Sequence, residues 1–129
     1  MKDKITLDTK RAKDFFLEKI SFLATAPELK RNIEQDVQSL NIVDVRKYDD
    51  FIDGHIPFAE HIPLDRIEEY LYMLEKDKIN VFYTYSDNCQ MAFKAGYIAA
   101  SHNYPSVVLF GGFKAWKNLE YDIVKISAS

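Results

Sequence analysis

Asn80-Val-Phe-Tyr-Thr-Tyr-Ser-Asp-Asn-Cys-Gln-Met-Ala-Phe-Lys-Ala95 runs from an apolar segment through a polar turn into a helical pattern. Ile79 to Tyr83, β-branched and aromatic, reads as a strand. Asp87-Asn-Cys-Gln90 has the spacing of a capping box, which places Cys89 near the second helical position. A thiol there, just past the carboxyl end of a strand, meets free amides and the positive end of a helix dipole, both of which favour a thiolate. Cys89 is the only cysteine in the 129 residues, and so the candidate nucleophile. The same spacing sets Cys89 on one helical face with Ala92, Gly96 and Ala99, where a thiol packs as a small apolar group. Both readings stay open at this point.

Downstream, the helix extends to about His102, Val107 to Phe110 reads as a strand, Gly111-Gly112 as a tight turn and Phe113 to Asn118 as a short helix. From Leu119 onward the signals are weak. Upstream, Asp65-Arg-Ile-Glu68 is a second capping box, followed by an Ile67, Leu71, Leu74 stripe. Glu60 to Pro63 offers a very short strand, Gly54-His-Ile-Pro57 a turn, Arg46 to Asp53 one short helical turn, and Asn41 to Val45 a buried strand. Thr25-Ala-Pro-Glu28 is another capping box, opening a helix with Leu29, Ile33, Val37 and Leu40 at helical spacing. Ile20 to Ala24 reads as a strand, and Asp8 to Lys19 as a helix with Ala12, Phe15 and Phe16 on one face. Strands alternating with helices of this length predict βαβ units and a parallel sheet covered on both faces. In such sheets ligands bind beyond the carboxyl ends of the strands, where the topology gathers three polar turns: Arg46 onward, Thr84 to Cys89, and Gly111-Gly112.

Composition bounds the rest. A 47% apolar and 29% charged chain of this length fits one globular domain over residues 1–129, with the N-terminal helix at about 8–19 and a core at about 20–118. The net charge of -3 leaves no footprint for nucleic acid. The longest charge-free run, Ala95 to Phe113, is broken by polar residues and glycines and does not read as a membrane span. With one cysteine and no signal-peptide pattern, a reducing, cytoplasmic location is expected. His55, His61 and His102 lack zinc-ligand spacing, so no metal and no cofactor is called for.

Asp44-Val-Arg46, Asp50-Phe51, Gly54-His-Ile-Pro57, Ala59 and Ile62-Pro63, followed by Gly111-Gly112-Phe113-Lys-Ala-Trp116, resemble the two motifs of the rhodanese-like domain. The resemblance spans Ile20 to Trp116, about three quarters of the chain. It implies a central five-stranded parallel sheet with helices on both faces. It also implies a cysteine that accepts sulfane sulfur as a persulfide, and a small sulfur-containing anion or a protein sulfur acceptor as partner.

The chain departs from that pattern at the loop Thr84, Tyr85, Ser86, Asp87, Asn88, Cys89. The family's cysteine opens this loop, but here Thr84 stands first and Cys89 last. The basic residue often found near the end of the loop is absent. The chain resembles a bacterial subgroup with a cysteine at each end of the loop, the first one replaced. Phe58 stands where glycine is usual, which implies an altered turn after Pro57. Thr84 lacks an adjacent base, so its hydroxyl reads as a hydrogen-bond donor to an anion rather than a nucleophile. Asp44 and Arg46 read as structural, with Arg46–Asp50 an attractive ion pair. The resemblance gives His55 a scaffold role through its ring nitrogens and groups Gly111 and Gly112 with the supporting residues. A phosphatase of this fold would need a longer loop ending in arginine, which is missing. Two readings remain: a sulfurtransferase or sulfur-relay protein using Cys89, or a non-catalytic module that binds a small anion or a protein.

Overall fold

The computed structural model describes residues 8–86 and 90–126. Five parallel strands form its sheet: β1 (Leu23–Ala24), β2 (Leu40–Asp44), β3 (Glu60–His61), β4 (Ile79–Tyr83) and β5 (Ser106–Leu109), in the order β1-β5-β4-β2-β3. The longest pairing runs from Leu40 opposite Ile79 to Asp44 opposite Tyr83, so β2 and β4 finish level with each other. That shared end sets two of the expected polar turns side by side.

The helices are α1 (Thr9–Ser21), α2 (Ala26–Asp36), α3 (Tyr48–Asp53), α4 (Met91–Ser101) and α5 (Gly112–Asn118). Because side chains alternate along a strand, neighbouring residues of β2 and β4 serve opposite cores. Val43 and Phe82 pack with Ile67, Leu74 and the alanines of α4 on one face. Ile42, Val81 and Tyr83 pack with Leu29 of α2 and Phe113 and Trp116 of α5 on the other. Ala92, Ala95 and Ala99 form the buried face of α4, their small side chains letting the helix lie close to the sheet.

Thr25 caps α2 as its pattern predicts: its hydroxyl oxygen accepts the Glu28 N–H at 3.2 Å and its hydroxyl donates to the Glu28 carboxylate at 3.1 Å. The matching pattern at Asp65 does not cap a helix. The Ile62 N–H donates to the Asp44 carbonyl and the Leu64 N–H to the Val45 carbonyl, and the following helix starts at Leu64, one residue before Asp65. It is a 3-10 helix over Leu64–Met73, kinked at Tyr70. Ile20 belongs to α1 rather than to a strand, and it is exposed, as are Phe15, Phe16 and Leu17. An apolar groove of about 1040 Å³ runs between α1 and α4, lined by Phe15, Phe22, Phe93, Tyr97 and Phe110. Among the described residues no helix is long and apolar enough to cross a membrane.

The tail, weak as sequence, is sewn to the domain through backbone groups. His55 and Val124 exchange two hydrogen bonds of 2.9 Å, and the Ile126 N–H donates to the Ile52 carbonyl. The Trp116 indole N–H donates to the Asp122 carbonyl at 2.8 Å.

Candidate functional site at the sheet's carboxyl edge

β2 ends at Asp44, whose side chain is fully buried. Its carboxylate accepts the Arg46 backbone N–H at 2.9 Å, Arg46 Nε at 3.0 Å and Arg46 Nη2 at 2.7 Å. Arg46 Nη2 also donates to the Gly54 carbonyl at 2.6 Å. One guanidinium thus ties the end of β2 to the turn after α3. Asp44, not Asp50, is the ion-pair partner of Arg46. Burial opposes the charge on Arg46, but the hydrogen bonds and charge of Asp44 outweigh it and hold its pKa above the usual value. The guanidinium carbon lies 4.3 Å from the centre of the Phe113 ring, which links this corner to α5.

The two nearby histidines brace backbone. His55 Nδ1 donates to the Phe51 carbonyl at 2.8 Å, and its ring stacks on Phe51 at 3.8 Å. His61 Nε2 donates to the Arg46 carbonyl at 2.7 Å. Among the described residues no group of three or more His, Cys, Asp or Glu side chains is placed to hold a metal ion. Tyr83 was not singled out in the sequence, although a tyrosine ending a buried strand needs a partner for its hydroxyl. Here the hydroxyl oxygen accepts the Ile56 N–H at 3.1 Å. Burial pushes the Tyr83 phenol far above its usual range, and the Asp44 charge adds to the rise.

Thr84 follows β4 directly and is 5% exposed. Its carbonyl accepts the Phe113 N–H at 2.9 Å, and the Tyr85 carbonyl accepts the Lys114 N–H at 2.8 Å. The loop after β4 is therefore fastened to the start of α5 by backbone bonds. Gly112 makes that approach feasible: a Cβ on it would sit 2.5 Å from the Thr84 oxygen and 2.7 Å from the Tyr85 oxygen, and its φ is +61°. Gly111, at φ +78°, would put a Cβ 2.6 Å from that of Ala115. Phe58 adopts a φ of 72°, so the turn after Pro57 keeps a conformation suited to glycine despite the phenylalanine.

Asp87, Asn88 and Cys89, including the expected capping box and candidate nucleophile, lie outside the described residues. The chain resumes at Gln90, which precedes the first residue of α4, Met91, without a side-chain cap. Beside the loop, Arg46, Gly54, Tyr85 and Phe113 contribute to a cleft of about 280 Å³. The turns at Arg46, Thr84 and Gly111-Gly112 therefore meet at one edge, as the topology predicts.

A family model, the rhodanese-like domain, matches residues 25–119. The chain belongs to this family. Among its rhodanese-like relatives, YtwF of Bacillus subtilis, provisionally named a sulfurtransferase, is 32% identical over 92 residues, covering 69% of this chain and 84% of that protein. The crystal structure of the BH2092 protein from Bacillus halodurans superposes with a TM-score of 0.83 at 25% identity, covering 92% of this chain and 87% of that one. A rhodanese-like domain protein from Staphylococcus aureus gives a TM-score of 0.70 at 26% identity, covering 81% and 98%. The five-stranded parallel sheet is thus the rhodanese-like fold.

Proposed function

We propose that this rhodanese-like protein carries sulfur, with Cys89 as the thiol that takes a sulfane sulfur and passes it on. The observation that supports this reading is the meeting of the turns at Arg46, Thr84 and Gly111-Gly112 at the carboxyl edge of the rhodanese-like sheet, where the loop that carries Cys89 in sequence opens. Cys89 is also the chain's only thiol, and Thr84 has no sulfur to offer. In the proposed step the Cys89 thiolate attacks the outer sulfur of a persulfide or of thiosulfate. A new S–S bond forms at Cys89, the donor's S–S bond breaks, and the donor leaves as a thiolate or as sulfite. No further oxidant or reductant is required. An acceptor nucleophile, small or protein-borne, then removes the sulfur. A reducing, cytoplasmic compartment suits this chemistry, since it keeps a lone thiol free.

A second reading, a non-catalytic module that binds a small anion or a protein, is favoured by the buried Thr84 where the family's cysteine is expected. Alkylation kinetics separate the two. A Cys89 that reacts with a small alkylating reagent in the folded protein supports the carrier. A Cys89 that reacts only on unfolding supports the binding module.

A further inference from the structure

The cleft of about 280 Å³ beside the loop is rimmed by four charged side chains of unusual arrangement. Asp50 and Asp53 come from α3, three residues apart and hence on one helical face. Lys117 comes from α5, and Lys125 from the tail that is bonded to α3 through Ile52 and Ile126. None of the four takes part in an ion pair with another described residue. Arg46, buried beside the cleft, is bonded to the Asp44 carboxylate, which offsets its charge, and to the Gly54 carbonyl. The cleft therefore offers two carboxylates, both from α3, and two ammonium groups, from α5 and the tail, balanced in number. A lone anion or a lone cation would meet as much repulsion as attraction there. A ligand with both charges on one small frame satisfies both pairs.

The remaining wall is aromatic. Lys117 Nζ lies 5.5 Å from the centre of the Phe113 ring and 6.0 Å from that of Tyr85, so these rings line the same space as the cations. Divalent sulfur packs well against aromatic rings. A cleft this small suits a metabolite rather than a larger ligand.

We propose that this cleft binds the zwitterionic head of a small sulfur-containing amino acid. Its ammonium group goes to Asp50 and Asp53, its carboxylate to Lys117 and Lys125, and its sulfur toward Tyr85 and Phe113. The inference concerns binding and stands apart from whether Cys89 carries sulfur.

The test uses unreactive thioethers, so that no sulfur chemistry intervenes. Binding of S-methyl-L-cysteine is compared by NMR titration with that of methylthiopropionate, which lacks the ammonium group, and methylthioethylamine, which lacks the carboxylate. The zwitterion is expected to bind about tenfold or more tightly than either, the scale of one lost charge-assisted contact. Asp50→Asn with Asp53→Asn should abolish the preference over methylthiopropionate alone. Lys117→Gln with Lys125→Gln should abolish the preference over methylthioethylamine alone. These are exposed side chains, so the variants are expected to fold, and wild-type-like amide spectra check it. Equal binding of the three ligands, no binding at millimolar concentration, or preferences that survive both double substitutions would overturn the proposal.

Discussion

The corner built on Asp44 and the loop that opens at Thr84 lie together at the same edge of the sheet, but different kinds of bond hold them. The corner is fixed by side chains: the Asp44 carboxylate, the Arg46 fork, the His55 and His61 rings. Each of these depends on the identity of one residue. The opening of the loop is fixed by the backbone carbonyls of Thr84 and Tyr85, which any residue supplies. A protein of this kind can change the side chain at position 84 without dismantling the fold, whereas it can change little at Asp44 or Arg46. This difference accounts for a chain in which the scaffold motifs are intact while the residue expected to open the loop is not a cysteine.

The largest effect is expected where a buried charge would lose its partner. Arg46→Ala leaves Asp44 in the core without its cation and should cost about 3–5 kcal/mol. Chemical denaturation checks this, and a loss under about 1 kcal/mol would mean that the corner is not held by its side chains. Gly112→Ala attacks the loop from its backbone side. The added methyl group collides with the Thr84 and Tyr85 carbonyls and the left-handed φ is strained, so about 2–4 kcal/mol should be lost.

A smaller change of opposite sign is expected at Phe58. Its side chain is 67% exposed while its φ is positive, so Phe58→Gly relieves strain with little packing lost and should add about 1 kcal/mol. Thermal unfolding at matched pH would show the gain as a higher Tm.

A further test is read in alkali. The phenol of Tyr83 has a folded-state pKa above its unfolded value of 10.0, so its contribution to stability is complete below pH 10.0 and is lost as the pH rises beyond it. Tyr83→Phe removes this titration and should flatten the alkaline fall in stability. An unchanged fall would place its origin elsewhere.

What the sequence could show followed from how local each feature is. β4 occupies the residues its β-branched and aromatic run predicts, and α2 begins at the Thr25 cap, because both depend on neighbours in sequence. Asp65-Arg-Ile-Glu68 carries an equally good pattern, but bonds from Leu64 to Val45 and from Ile62 to Asp44 set where that helix starts. Ile20 is apolar without being buried, so an apolar run there does not mark a strand. The tail was illegible for a related reason: Val124 and Ile126 are held by backbone pairs to His55 and Ile52, which leave no periodic trace. At the site, the Asp44–Arg46 pair was readable as structural, but its competitor Asp50 is separated from it only in three dimensions. The Tyr83 hydroxyl bond to Ile56 needs two distant segments brought together, which no spacing reveals.

The measurement that tests the account most directly is sulfur loading, followed by intact mass after incubation with thiosulfate or a persulfide donor. Three proteins are compared: the wild type, Cys89→Ser, and Cys89→Ser combined with Thr84→Cys. One added sulfur is expected on the wild type, none on Cys89→Ser, and one again on the double variant, whose thiol stands at the head of a loop fastened through its first two carbonyls. A wild-type protein that gains no sulfur would contradict the carrier role of Cys89. A double variant that folds but fails to load would contradict the expectation that position 84 is where a thiol at the head of this loop takes sulfur.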